Sequence, residues 1–165
     1  MTTSLTAALR EKYPRLIPAR FGFECADGWL SIIDDFLAIV DRELPASGTF
    51  HLRQVKEKLG GLRIYFDVSP DTPAEAQTAI DDAYDRASAR SYKICEICGA
   101  RGRFSNRHGL LTVVCEEHQV DDFGDRAVPR EPESDYIRQR DDKGWQRYDF
   151  DLDAFVATDP PEGWK

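Results

Sequence analysis

The sequence predicts an α+β fold in which a small antiparallel sheet packs with two long helices. Two stretches, residues 27–44 and 73–90, place apolar side chains at the spacing of an amphipathic helix. Between them, residues 62–68 alternate apolar and polar side chains, which is the period of a half-buried strand. A cysteine-rich segment then follows the second helix. Because the chain has only 165 residues, these elements are expected to share one core.

The first long helix, over residues 27–44, is predicted to bury one wide apolar face. Its polar side carries Asp34, Asp35 and Asp41. The apolar residues on the other side are Trp29, Ile32, Ile33, Phe36, Val40 and Leu44. A face that is aromatic and aliphatic along its whole length indicates a core contact rather than a ligand groove.

A β-hairpin is predicted around Gly60 and Gly61, because glycine adopts the positive φ angles of a tight turn. One strand carries the alternating residues Leu62, Ile64, Phe66 and Val68, and its partner is expected near residues 50–58. The tip is basic, with Lys56, Lys58 and Arg63. It could bind an anion, or its charges could simply face solvent.

The second long helix is introduced by Thr72 as the N-cap, with Pro73 at the first helical position. Glu75 would complete a capping box with Thr72. Its small-residue stripe suits close packing against the sheet or the first long helix. Near the start of the chain, Thr3 is expected to cap a shorter helix over residues 4–13.

A metal site is predicted from two paired spacings. Cys95 and Cys98 form a C-x2-C pair, and after sixteen intervening residues Cys115 and His118 form a C-x2-H pair. Thiolates and imidazole at such spacings are the ligands of structural zinc sites, and reduced core thiols do not explain two pairs. The order of knuckle, short hairpin and ligands at a helix start predicts a treble-clef or ribbon-like zinc module over about residues 91–120.

The predicted zinc is structural rather than catalytic. Three cysteines and one histidine fill a tetrahedral shell and leave no position for water. His108, in a predicted hairpin, could be imagined as a general base or a substitute ligand, but an exposed turn histidine is expected. Cys25 has no nearby partner in the sequence and is expected to be a buried thiol. Phosphate-loop, dinucleotide-binding and serine-hydrolase motifs are absent, so we do not expect an enzyme.

Charge divides the chain into a body, residues 1–118, and a C-terminal extension, residues 119–165. The extension has 13 acidic and 7 basic side chains, so it carries −6 of the net charge of −8. Residues 86–107 have the opposite sign, with six basic side chains and one acidic one, Glu96. The two regions could neutralise each other within the fold, or one of them could meet a partner.

Four segments, ADGWLSIIDDFLAIV, QVKEKLGGLRIYF, ASARSYKICEICGARG and LLTVVCEEH, resemble in order and wording a family of small bacterial proteins. That family has a VKEK-(F/L)-GGLR-x-Y strand pair followed by a CxxC…CxxH zinc element. The resemblance covers about residues 21–118. It implies the fold and the zinc, and a looser link to mobile or conflict-related loci, but no settled activity.

The favoured function is that of a non-catalytic binding protein, most concretely an immunity (antitoxin) protein that occludes the active site of a basic toxin domain. A motif-poor, acidic chain with a sequence pI near 4.9 suits such a partner. The alternative is a zinc-containing nucleic-acid-binding or regulatory protein that uses residues 86–107. The first residues do not have the pattern of a signal peptide, and no apolar run predicts a membrane span, so a cytoplasmic location is expected.

The partner surface is predicted in the extension, where aromatic and acidic side chains alternate. Its residues are Asp141, Asp142, Trp145, Tyr148, Asp149 and Asp151. Aromatic anchors ringed by carboxylates would suit a basic cleft. Equally, these aromatic residues could only hold the extension on the body.

Overall fold

A computed structural model of the protein describes residues 4–164. Three α-helices occur in this range: α1 (Leu5–Lys12), α2 (Leu30–Glu43) and α3 (Ala74–Ser91). The eight strands are β1 (Phe50–Lys58), β2 (Gly61–Val68), β3 (Arg103–Arg107), β4 (Leu110–Val114), β5 (Val128–Pro129), β6 (Ile137–Arg140), β7 (Gly144–Asp149) and β8 (Ala154–Ala157). They pair as three small antiparallel sheets, β1–β2, β4–β3–β5 and β6–β7–β8. The α+β fold class is therefore confirmed. None of the helices in residues 4–164 has the length and apolar character needed to cross a membrane.

The core forms where α2 and α3 pack against the β1–β2 hairpin. Phe36 of α2 is almost fully buried, and its ring centroid lies 5.4 Å from that of Phe66 on β2. Phe50 stacks on Phe66 at 5.3 Å, and Tyr84 of α3 meets Phe66 edge-on at 5.8 Å. These contacts join the inward-facing residues of the predicted strand to the apolar face of the first predicted helix.

Two buried serines attach α3 to β2. Ser91 accepts a hydrogen bond from the Leu62 backbone N–H at 3.0 Å, and Ser88 donates its hydroxyl to the Leu62 carbonyl at 3.1 Å. Small hydroxyl side chains let the helix approach closely while the buried backbone N–H and C=O of Leu62 remain hydrogen-bonded.

The starts of both long helices differ from the sequence prediction. Residues 27–29 form a single 3₁₀ turn, and the α-helical segment α2 begins only at Leu30. At α3 the capping box does not form, because the Thr72 hydroxyl donates to the carbonyl of Ser69 at 2.6 Å instead. Local side-chain to backbone bonds of this kind compete with helix caps. The other predicted cap, Thr3, lies outside the described residues.

The turn of the β1–β2 hairpin is one residue earlier than the two glycines predict. Leu59 and Gly60 are the turn residues, with φ of 53° and 80°, whereas Gly61 is already the first residue of β2. Gly60 packs closely on the β3–β4 hairpin, since a Cβ there would lie 2.5 Å from Cε2 of Phe104. The glycine thus serves close packing as well as turn geometry.

The C-terminal sheet β6–β7–β8 lies on α3. Arg138 and Arg140 of β6 form ion pairs with Asp82 and Asp85 of α3 at 2.7–3.1 Å. The Arg138 guanidinium also stacks 3.6 Å from the centre of the Phe155 ring. Strand β5 lies beyond the boundary predicted at residue 118 but pairs with β3, so the middle sheet spans that boundary.

Candidate metal centre

A compact turn between α3 and β3 holds the first cysteine pair. The Cys95 N–H donates to the Ala100 carbonyl at 2.7 Å, and the Gly99 N–H donates to the Cys95 carbonyl at 2.9 Å. Gly99 has a φ of 81°, which favours glycine at this position. Gly102 lies so close to the Cys95 backbone that a Cβ on it would be 2.9 Å from the Cys95 nitrogen. We call residues 94–102 the knuckle.

The second pair follows β4. Cys115 comes directly after the strand, and a 3₁₀ turn, Glu116–His118, brings the histidine back, with its N–H donating to the Cys115 carbonyl at 3.1 Å. The helix predicted to start here is limited to this turn. After it, the Asp121 side chain accepts hydrogen bonds from the backbone N–H groups of Phe123 at 3.0 Å and Asp125 at 2.9 Å. These bonds form a separate turn where the sequence predicted the helix to continue.

The four predicted ligands converge. The Cys98 and Cys115 sulfurs lie 3.7 Å apart, and His118 Nδ1 lies 3.2 Å from Cys115 Sγ and 3.7 Å from Cys95 Sγ. All four ligand atoms lie within 4.8 Å of one another, so the cluster could bind a metal ion. Cys95 is buried and Cys98 is exposed, which places the cluster at the surface with one side against the fold.

The backbone around Cys95 favours its thiolate form, whereas the pKa of Cys98 is raised despite a hydrogen bond from the Ala100 N–H, because desolvation and the neighbouring sulfurs of Cys115 and Cys95 oppose ionisation. Burial would raise the pKa of Cys95, but the backbone N–H groups of Cys98, Cys115 and Ile97 point at it and lower its pKa below the ordinary thiol value. Arg107 holds the far side of the cluster, donating from Nη2 to the carbonyls of His118 at 3.1 Å and Gln119 at 3.2 Å.

The body holds the knuckle through residues 28 and 29. The Gly28 N–H donates to the Glu96 carbonyl at 2.9 Å, and the buried indole of Trp29 donates from Nε1 to the Ile94 carbonyl at 3.0 Å. Sequence reasoning placed Trp29 on the core face and gave Gly28 no role. The contact of residues 28 and 29 with the knuckle joins segments far apart in the chain, so local sequence patterns do not predict it. The Gly-Trp pair at the start of a helix is the only local signal for it.

The basic segment faces the acidic extension within the fold. Lys93 lies 2.8 Å from Glu133, and Arg103 lies 2.8 Å from Glu131. The remaining pairs are Arg90 with Asp153 at 3.6 Å, Arg101 with Glu133 at 3.5 Å, Arg103 with Glu133 at 3.6 Å and Arg107 with Asp121 at 3.7 Å. Arg86 alone among the six basic residues has no such pair within the described residues. Five of the six basic side chains of residues 86–107 are therefore paired with carboxylates of the extension. This agrees with mutual neutralisation, one of the two alternatives left open by the sequence.

The six residues of the predicted partner surface do not form one patch. Asp141 and Asp142 lie in the β6–β7 turn, whereas Asp149 and Asp151 lie at the other end of β7. A six-residue strand such as β7 is about 17 Å long, and this length separates the two pairs. Tyr148 is only 3% exposed. Its hydroxyl donates to Asp153 at 2.6 Å, so it holds the extension together internally.

Other aromatic residues of the extension also make contacts within the chain. Trp145 is half-buried and meets the exposed Trp164 edge-on at 5.5 Å. Phe150 lies between two cations, with Arg90 at 4.7 Å and Arg101 at 4.0 Å from its ring centre. The two contacts of Phe150 join the extension to α3 and to the knuckle, as the structural alternative predicts.

Neither His108 nor Cys25 joins the cluster. His108 is an exposed turn residue whose Nε2 lies 3.2 Å from a carboxylate oxygen of Asp125. Burial, together with the nearby carboxylates of Asp27 and Glu96, raises the pKa of Cys25 to about 11. A thiol with that pKa remains protonated at neutral pH, which suits a packing residue rather than a nucleophile.

The comparisons with known proteins give no family for the chain. No protein-family model, curated protein or solved structure matches it.

Proposed function

We propose that Cys95, Cys98, Cys115 and His118 bind one Zn²⁺ as a structural ion. A regular tetrahedral zinc site has sulfurs about 3.8 Å apart and sulfur and nitrogen about 3.5 Å apart, from Zn–S near 2.3 Å and Zn–N near 2.0 Å. The sulfur–sulfur distance of 3.7 Å and the sulfur–nitrogen distances of 3.2 and 3.7 Å support this assignment. These distances are the observation that carries the proposal.

The ion would connect two short segments that have little core of their own. It would join the knuckle, which the body holds through Gly28 and Trp29, to the end of β4. The knuckle and the β3–β4 hairpin follow the order of a treble-clef or ribbon module. With a 3₁₀ turn in place of the closing helix, we assign the module to the ribbon-like class. Four protein ligands close the coordination shell, so we assign no hydrolytic role to the metal.

On this scaffold the protein acts as a non-catalytic binding protein, and we propose that it is an immunity protein for a basic toxin domain. The net charge of −8 supports association with a basic partner, since complementary charge speeds encounter and selects partners. The resemblance to small bacterial proteins of conflict-related loci agrees with this role. Nucleic-acid binding by residues 86–107 takes second place, because carboxylates of the extension pair with five of the six basic side chains there.

The test is co-expression with the product of the gene directly upstream of its own. The proposal expects that product to stop growth when made alone, to be harmless when this chain is made with it, and to elute with it as one complex. Toxicity unchanged by this chain, or a harmless neighbour, would contradict the immunity function. Tight binding of duplex or single-stranded nucleic acid at about 0.15 M salt would instead favour the second function.

A further inference from the structure

The two adjacent hairpin tips, β1–β2 and β3–β4, enclose a groove of about 410 Å³ beside the metal cluster. Leu59 and Glu57 form one side, Leu110 and Leu111 form the other, and Arg107 and Asp121 lie at its end. The contact of Gly60 with Phe104 and Leu111 fixes one tip against the other, so the groove is built into the fold.

Leu59 is unusual in both conformation and exposure. It is the first central residue of a two-residue hairpin turn, between Lys58 and Gly61, and has a φ of 53°. Asparagine, aspartate or glycine is favoured at this position, and a leucine there is strained. The side chain is also 66% exposed. In the free protein, leucine at this position neither suits the turn conformation nor is buried. Such a residue indicates a contact with another molecule.

The opposite tip also exposes a leucine, although this one follows the turn instead of forming it. His108 and Gly109 are its turn residues, with φ of 50° and 87°, and the next residue, Leu110, is 73% exposed. The groove therefore presents two exposed leucines, one on each hairpin tip. Exposed apolar side chains clustered on one concave surface are typical of protein-binding sites.

The charged side chains that line the groove are mostly acidic, and the basic Lys58 next to Leu59 is not among them. Glu57, Glu96 and Asp121 line the groove against a single cation, Arg107. That arginine is already engaged by two backbone carbonyls and by Asp121. Lys56 lies on the other face of β1, where its Nζ is 5.4 Å from the centre of the Tyr65 ring.

We propose that this groove is the docking surface for a basic segment of the partner protein, one that carries lysine or arginine beside an apolar side chain. The apolar side chain would cover Leu59 and Leu110, and the cation would meet the carboxylate of Glu57. This inference rests on the proposed function, since it names the surface through which such a binding protein would act. It moves the interface from the extension to the hairpin tips.

The test uses the full-length, zinc-loaded protein and a fluorescein-labelled peptide in which lysine and leucine alternate, followed by fluorescence anisotropy at about 0.15 M salt. Leu59→Asn is the main variant, because asparagine suits the turn and should leave the melting temperature unchanged or raise it. Glu57→Gln keeps an oxygen that can accept the Gly60 N–H bond, which is 2.6 Å long. Leu152→Asn is the matched control, since Leu152 is 67% exposed in the β7–β8 turn of the extension.

We expect Leu59→Asn to weaken peptide binding by about tenfold and Glu57→Gln by about threefold with a flatter salt dependence, while Leu152→Asn changes it by less than about twofold. Unchanged binding by Leu59→Asn, an equal loss in Leu152→Asn, or equal binding of a peptide with glutamate in place of lysine would overturn the proposal. The two proposals fail separately. Protection from the upstream product that survives in Leu59→Asn cells contradicts the groove alone, whereas Leu59-dependent peptide binding without any protection contradicts the immunity function alone.

Discussion

Gly28 and Cys95 approach each other so closely that only a hydrogen atom fits between the α-carbon of one and the carbonyl of the other. A Cβ on Gly28 would lie 2.2 Å from the Cys95 carbonyl oxygen and 2.6 Å from the Glu96 carbonyl carbon. The Gly28 N–H already donates to Glu96. The cluster of candidate ligands is therefore attached to the body by backbone contact and not only through its own loop.

Gly28→Ala should destabilise the protein by about 2–3 kcal/mol, because rigid backbone must move to admit the methyl group. Chemical denaturation followed by intrinsic fluorescence measures this. Gly22→Ala is the control, since a Cβ at that position meets nothing within 4 Å. Equal denaturation midpoints for the two variants would show that residues 28 and 95 are not in contact.

Trp29→Phe should cost about 2 kcal/mol or more, since it leaves the Ile94 carbonyl without its indole donor and opens space in a fully buried site. The same substitution at Trp164, which is 70% exposed, should change stability by less than about 0.5 kcal/mol. Urea denaturation of both variants measures the difference. A Trp29 variant as stable as the wild type would contradict the attachment of the knuckle through this bond.

Phe36→Ala should cost about 3–5 kcal/mol, because the ring is only 1% exposed and touches three other aromatic rings. Phe66→Ala should cost less, since Phe66 is only partly buried. Phe123→Ala, at a residue 91% exposed, provides the control. A loss below about 1 kcal/mol at Phe36 would mean that the core face of α2 is assigned wrongly.

Docking of the extension on the knuckle should depend on pH through Glu133. The hydrogen bond from Lys93, followed by the charges of Lys93, Arg103 and Arg101, lowers the pKa of Glu133 below its ordinary value of 4.5. A lowered folded-state pKa contributes stability that is fully present above about pH 4.5 and is lost as the pH falls through the folded value.

Wild type should therefore be more stable than Glu133→Gln at about pH 7, and the difference should shrink below about pH 4.5. Urea denaturation of both proteins across this range measures it. Both proteins carry the same four candidate ligands, so any metal lost in acid would be lost from both alike. A difference that does not change with pH would contradict the ion pair of Glu133 with Lys93 in solution.

Local patterns in the sequence were sufficient for β2 and for the ligand cluster. The alternation over residues 62–68 predicts β2, and the paired spacings predict which four side chains converge, because these signals act over a few residues. Contacts between distant segments have no such signal. The Gly28–Glu96 bond and the pairing of basic knuckle residues with Glu131 and Glu133 depend on how the chain folds back.

The extension shows the same limit in another way. Its composition correctly indicates aromatic residues that pack, but composition does not show that β7 separates Asp141 from Asp149 or that Tyr148 faces inward. Strand direction and register decide which side chains share a surface. Leu59 was overlooked because the two glycines beside it predicted a turn one residue later.

Zinc K-edge X-ray absorption on the purified full-length protein tests the central claim most directly. The proposed site predicts one zinc per chain with three sulfur neighbours at about 2.3 Å and one nitrogen at about 2.0 Å. Cys98→Ser should reduce the zinc content, whereas Cys25→Ser should retain one zinc with the same shell, because Cys25 lies outside the cluster. A wild-type spectrum with two or more oxygen or nitrogen neighbours, or a protein that purifies without stoichiometric zinc, would contradict a closed structural site.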